Sequence, residues 1–429
     1  MPMSTGPQMS RGSMAIAAFS TIVEWYDFTL YLYFATVLAR VFFGSGAASL
    51  LVTLGGFAIA YLMRPLGAVV FGHIGDKLGR RHMLLRSVAL MTAAMLATAL
   101  LPTRSEIGAA AGWLLIGLRC VMGFSVGGEY TGVVAYLLEG APERRRGLIA
   151  SSASAASEIG GLLAVGVSAL TVASLSEAQL QSWGWRIPFL VGAALAGSVW
   201  VARSTMQESP EFERQHASGT VPELPLRHSL TSHRGAIERS FAISALGSIT
   251  YYVGITYVPA FLTSAGSVSE RDSLWMSTAA AAIVILVTPF TGAWSDRIGR
   301  KRVLILLSLL SAVLPMTLFS LMASGTRAEA LLGALTLAAV AGAYSAVGAV
   351  ATAEQFPGEG RITGLALGAT MATALFGGLT PWLAQWLIQR TGWETAPGAM
   401  IALVALAVLP VFVMMRETAP AVSAAARAN

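Results

Sequence analysis

The chain has 429 residues, of which 55% are hydrophobic and only 12% charged, with a mean hydropathy of +0.67. Soluble domains carry about 25% charged residues, so a water-soluble globular protein is excluded. A net charge of +6 invites a nucleic-acid partner, which the placement of the charges removes below, and the single cysteine, Cys120, excludes a disulfide within the chain.

A helix needs about 20 apolar residues to cross the hydrocarbon core. Twelve stretches qualify, at roughly 14–42, 50–71, 83–101, 108–138, 148–173, 187–203, 240–264, 273–293, 303–323, 331–351, 362–388 and 397–415. They predict an all-α membrane protein with twelve transmembrane helices. The first stretch is too long and too charged for a cleaved signal and is expected to persist as a helix. It contains EWYDF at 24–28, although a charge at the centre of a membrane helix costs about 2.5–3.5 kcal/mol. The second carries Arg64 in MRPLG and runs into GHIGDKLGRRHML at 72–84. Arg119 and GFSVGGEYTG (123–132) lie in the fourth, PERRRG (142–147) follows, Glu158 sits in the fifth, and WGWRIPF (183–189) opens the sixth. A polar segment near 204–239, rich in charge, His and Ser, precedes the seventh stretch with Tyr251, Tyr252 and Tyr257. Tyr344 lies in the tenth, and Trp382 and Trp386 in the eleventh.

The chain repeats itself. GHIGDKLGRRHML is echoed by GAWSDRIGRKRVL at 292–304, and Glu139-x-x-Pro142-x-x-x-Arg146 by Glu354-x-x-Pro357-x-x-x-Arg361. Both echoes follow corresponding helices, so one six-helix unit is used twice: residues 1–203 and 240–429, joined by a linker at 204–239. Parallel repeats with a site between them describe a rocking transporter. With both termini cytoplasmic, most Lys and Arg fall inside, while each of the six outer connections holds one arginine: Arg40, Arg104, Arg186, Arg271, Arg327 or Arg390. The basic excess is therefore the positive-inside rule, and no nucleic acid is implied.

The two G-x-x-x-D-[KR]-x-G-R-[RK] loops resemble those of the major facilitator superfamily. EWYDF, MRPLG, GFSVGGEYTG, PERRRG and WGWRIPF, in that order, narrow the resemblance to its metabolite:proton symporter family, which includes carriers of oxoglutarate, citrate, shikimate, proline and betaine. The resemblance implies a monomeric carrier in the bacterial inner membrane, driven by the proton gradient without a cofactor or metal. It also implies a proton-coupling acid on the first helix beside an arginine on the fourth, here Asp27 and Arg119.

Residue chemistry assigns the remaining roles. Gly72, Asp76, Gly79, Arg80 and Arg81, with Asp296 and Arg300 in the second copy, form candidate gates. The glycines permit tight turns, the aspartates accept from helix N-termini across the seam, and the basic residues reach Glu139 or Glu354, whose echoes end in Arg146 and Arg361, also candidate gate residues. All charges at depth lie in the first half: Glu24, Asp27, Arg64, Arg119, Glu129 and Glu158. At 1.5 Å per residue, Glu24 lies about 15 Å and Arg64 and Glu158 about 18 Å from the inner ends of their helices. Asp27 and Tyr31 continue the Glu24 face. Glu24, Asp27 and Arg119 are thus the candidates for proton coupling, and Arg64, Arg119, Tyr31, Glu158, Tyr251 and Tyr252 for substrate binding. Glu24–Arg64 also reads as a permanent ion pair, and Glu129 as structural. No histidine lies deep, so a carboxylate carries the proton. Trp382 and Trp386 read as members of an interfacial aromatic belt. The expected function is symport of a proton with a small organic acid. The alternatives are symport of a zwitterionic osmolyte or amino acid and, disfavoured by a fifth helix without proline, an efflux antiporter. No nucleophile–base pair or metal spacing suggests an intramembrane enzyme.

Overall fold

A computed structural model describes residues 11–127, 129, 133, 146–206, 208, 213, 233–265, 268–356 and 364–419. Helices of seven or more residues, numbered in chain order, are α1 (Arg11–Tyr33), α2 (Ala47–Leu62), α3 (Arg64–Leu78), α4 (Arg80–Ala99), α5 (Ala110–Ser125), α6 (Arg146–Ser174) and α7 (Arg186–Ser204). After the linker come α8 (Arg234–Tyr251), α9 (Val258–Ser264), α10 (Glu270–Ile298), α11 (Arg300–Ser324), α12 (Arg327–Ala353), α13 (Thr380–Thr391) and α14 (Ala396–Met414).

Eight spans among the described residues are long and apolar enough to cross a bilayer, and nine if the bent α8–α9 pair counts as one. The other predicted stretches fall short for local reasons. α1 carries Glu24 and Asp27, α5 ends at Ser125, close to where the described residues give out, and π-helical turns at Ala366–Thr370 and Ala374–Gly378 interrupt the eleventh. Large apolar side chains face outward, with Phe290 76% and Leu403 70% exposed, while Glu24, Asp27, Arg64 and Arg119 are buried. Lipid as solvent demands this inversion, because the surrounding hydrocarbon offers no partner to a polar group.

Two prolines decide where the helices break. Pro65 has no N–H to give the Tyr61 carbonyl, and the chain turns at Met63, whose N–H bonds three residues back to Ala60. Arg64 therefore starts a new helix at the break. Pro259 acts likewise: the Tyr257 N–H reaches five residues back to Tyr252, the turn Tyr252–Thr256 widens, and α8 and α9 meet at 46°. Tyr251 and Tyr252 sit at that widened turn.

α6 packs along α10 and against α12, and α2 against α13, joining the early helices to the late ones along two seams. α6 also runs close beside α1. A Cβ at Gly160 would stand 2.2 Å from the Ile22 carbonyl oxygen, so only glycine permits this approach, which sets Glu158 near the level of Glu24. The two repeated loops share one backbone: Gly79 has φ 101° and ψ 153°, Gly299 φ 103° and ψ 152°. That region is essentially restricted to glycine.

Candidate functional site

The helices enclose a cavity of about 140 Å³. α1 contributes Trp25, the break before α3 Arg64, and α6 Ser157 and Glu158; α8 with its widened turn contributes Tyr251 and Tyr252, and α12 Tyr344. Every lining residue from 243 onward is uncharged. Among the described residues, charge enters the cavity wall only from the first half of the chain, through Arg64 and Glu158.

Arg64 is held on three sides. Its guanidinium donates to Glu24 Oε1 at 2.7 Å and to the Tyr61 hydroxyl at 2.8 Å, and it lies 4.6 Å from the Phe28 ring centroid. The Tyr61 hydroxyl in turn meets that of Tyr252, which links the arginine to the second half. Trp25 stacks near Tyr252 and meets Tyr251 edge-on, with centroids at 6.3 and 5.1 Å. All three rings line the cavity.

Asp27 and Arg119 form a second pair, with Oδ2 accepting from the guanidinium at 2.7 Å; Arg119 also donates to Thr98 at 3.3 Å. Both residues are buried, and neither is among the residues lining the cavity. Tyr31, expected to bind substrate, instead donates to the Thr53 carbonyl at 3.0 Å and stacks on Phe57. Glu24 and Asp27 each keep one buried oxygen with no hydrogen-bond partner (Oε2 and Oδ1). Glu129 differs: Arg203 and Ser87 occupy both its oxygens, and Arg203 also reaches Ser20 and the Leu84 carbonyl. That network fits the structural role expected for Glu129.

Tyr257 donates to Gln385 and stands apart from the cavity, whereas Tyr344 lines it and donates to the Ile243 carbonyl at 2.9 Å. Trp382 and Trp386 stack on each other, and Trp382 lies against Gly55 of α2. It therefore sits at the seam between early and late helices, not in a purely lipid-facing belt.

At the Arg-rich end, Asp296 accepts from Arg300 at 2.6 Å and from the Leu148 N–H, at the start of α6, at 3.1 Å. This is the expected bond from a helix N-terminus across the seam. Arg300 also reaches Glu354 at 3.4 Å. Arg81 donates to the Ser204 carbonyl at 2.5 Å, at the end of α7. Gly72 lies partly exposed on α3. Glu139 and Arg361 lie outside the described residues, as do the side chains of Asp76, Arg80 and Arg146.

Sequence reasoning missed two acids here. Glu417 accepts from the N–H groups of Arg300 and Lys301 at 2.8 and 3.2 Å, and Glu208 from that of Arg81 at 3.2 Å. Each caps the helix that follows a repeated loop. Met206-x-Glu208-Ser and Met415-x-Glu417-Thr are a third echo between the halves, a signal short enough to overlook.

Residues 13–220 match the family described as sugar (and other) transporters, and residues 240–428 the Major Facilitator Superfamily. The ectoine/proline transporter of Corynebacterium glutamicum is 32% identical over 411 residues, 92% of this chain and 82% of that protein. The chain belongs to the major facilitator superfamily. Other relatives fall in the metabolite:proton symporter branch that the motifs resembled. The alpha-ketoglutarate permease of Escherichia coli is 33% identical, covering 94% of this chain and 92% of that one. The citrate-proton symporter of Klebsiella pneumoniae is 31% identical, covering 92% and 89%. A solved proton:xylose symporter, XylE bound to 6-bromo-6-deoxy-D-glucose, superposes with a TM-score of 0.78 over 95% of this chain and 96% of its own. At 21% identity it establishes the major facilitator fold alone. This superfamily consists of transporters, so the chain is a multi-pass membrane carrier.

Proposed function

We propose that this carrier imports a small organic acid together with a proton across the bacterial inner membrane by alternating access. In this reading it has twelve spans, both termini inside, two six-helix halves (1–203 and 240–429) joined by the linker 204–239, and works as a monomer without a cofactor. One observation carries the substrate assignment: Arg64 lines a cavity whose late-helix walls are wholly uncharged. A guanidinium in that position offers a planar fork to a carboxylate, and Glu24 is the internal partner the substrate displaces. Asp27, paired with Arg119 and holding one open oxygen, is the proton carrier. Relatives carrying citrate and alpha-ketoglutarate support the reading.

Glu158 favours a second reading. An acid on the cavity wall beside Trp25, Tyr251 and Tyr252 suits the ammonium of a zwitterion, and relatives carrying ectoine, proline and betaine support that. Uptake into proteoliposomes decides between them, using alpha-ketoglutarate, citrate, proline and glycine betaine with a pH-sensitive dye inside. The organic-acid reading expects uptake of the carboxylates with acidification of the lumen. Uptake confined to proline and betaine transfers the assignment to the zwitterion, and uptake of carboxylates without proton movement removes symport.

A further inference from the structure

Three buried acids of the first half have a basic partner: Glu24 with Arg64, Asp27 with Arg119, Glu129 with Arg203. Glu158 has none. It is only 2% exposed, and no cation among the described residues lies within ion-pair distance. Tyr251 of the α8 turn shares the cavity wall with it, and α1, packed along α6, carries Tyr33 and the two paired acids Glu24 and Asp27. The other helices packed on α6 bring no charge to this depth. α10 carries none between Asp272 and Asp296, and α12 none after Glu329. Arg64, across the cavity, is occupied by Glu24.

Charge accounting then makes a demand. Each of the three pairs is neutral as a unit, so Glu158 alone sets the charge of the cavity wall. An ionised carboxylate sealed from water without a counter-charge is costly. An anionic substrate in the same small cavity adds a like charge close by, which costs more. We infer that Glu158 is a second proton-binding group of the carrier, which takes up a proton from cavity water as an anionic substrate is enclosed and returns it when the cavity reopens. The proton goes to a carboxylate oxygen of Glu158, and the Tyr251 hydroxyl, which makes no hydrogen bond among the described residues, stands on the same cavity wall. This inference rests on the organic-acid reading for its coupling to transport, and it adds one proton to the one assigned to Asp27.

The first test needs no substrate. Infrared difference spectra of the reconstituted full chain, recorded across a pH titration, report protonated buried carboxyls. Glu158→Gln is expected to remove one titrating carboxyl band that Asp27→Asn leaves in place, and Tyr251→Phe, which keeps the acid, to shift that band. A spectrum unchanged in Glu158→Gln overturns the inference. The second arm uses whichever carboxylate the uptake panel shows to be carried. Glu158→Gln should keep counterflow exchange and lose one coupled proton, lowering the accumulation ratio about tenfold per unit of pH gradient. An unchanged ratio, or loss of binding itself, overturns it. If no carboxylate is carried the infrared arm still reads Glu158, so failure of the function and failure of this residue assignment are told apart.

Discussion

Among the buried charges, the number of satisfied oxygens separates scaffold from machinery. Both oxygens of Glu129 accept, one from Arg203 and one from Ser87, which ties it to its neighbours. Removing one partner of a buried pair costs about 3–5 kcal/mol, because the other charge stays behind. Glu129→Gln is therefore expected to lower thermal stability by that order while leaving the proton-to-substrate ratio intact. A changed ratio in that variant would move Glu129 into the coupling machinery. Asp27→Asn should do the reverse: uphill uptake under a proton gradient disappears, while counterflow, which needs no net proton transfer, persists. Accumulation by Asp27→Asn would transfer the role to Glu24 or Glu158. The Glu24–Arg64 pair was readable from helix depth, since 1.5 Å per residue places the two at facing levels, and Asp27–Arg119 from the family resemblance. The partner of Glu129 was not readable. Arg203 lies 74 residues further along, and at the end of an apolar stretch it looks like one more charge obeying the positive-inside rule.

At the scale of elements, apolar length located the helices, whereas the two proline breaks that shape the cavity emerged only in the structure. What remained hidden was which side chains the breaks turn inward. Tyr31 continues the Glu24 face in sequence, yet α2 intercepts it with the Thr53 carbonyl, a competition that one helix viewed alone cannot show. The repeated loops were legible as candidate gates because glycine and charge recur at fixed spacing, but their caps come from distant acids. Gly299 joins both facts. Its φ of 103° is strained for any other residue, and an added Cβ would stand 2.2 Å from Glu417 Oε2, the carboxylate that caps α11. Gly299→Ala is thus expected to cost about 1–3 kcal/mol from backbone strain and about 1 kcal/mol more from the displaced cap. Glu417→Ala alone should show only the smaller loss. Thermal unfolding of the three proteins in detergent separates the contributions, and equal losses for Gly299→Ala and Glu417→Ala would exclude the strain component.

Across the whole molecule, ties between early and late helices exist at both ends at once. At the end away from the Arg-rich loops, Arg40 bonds Glu177 at 2.8 Å and, across the seam, Glu270 at 2.9 Å, with Thr36 also on Glu270. At the Arg-rich end, Asp296 holds the N-terminus of α6. A rocking carrier cannot open either end without breaking the tie there, so the two ties oppose each other in the balance between outward-facing and inward-facing states. The outer pair is partly exposed, at 28% for the Arg40 side chain and 20% for that of Glu270, which limits it to about 0–1 kcal/mol. A shift of about 1 kcal/mol changes a two-state ratio about fivefold. Glu270→Gln should therefore raise hydrogen exchange several-fold at the end of the first span and the start of α10, and increase protection at the starts of α6 and α11. Asp296→Asn should give the mirror pattern, because it frees the opposite end. The two substitutions together should restore a balance near the original, since each tie biases the same equilibrium in opposite senses. Exchange that rises at both ends in either single variant would mean general loosening, and the ties would then be supports of the fold with no part in alternating access.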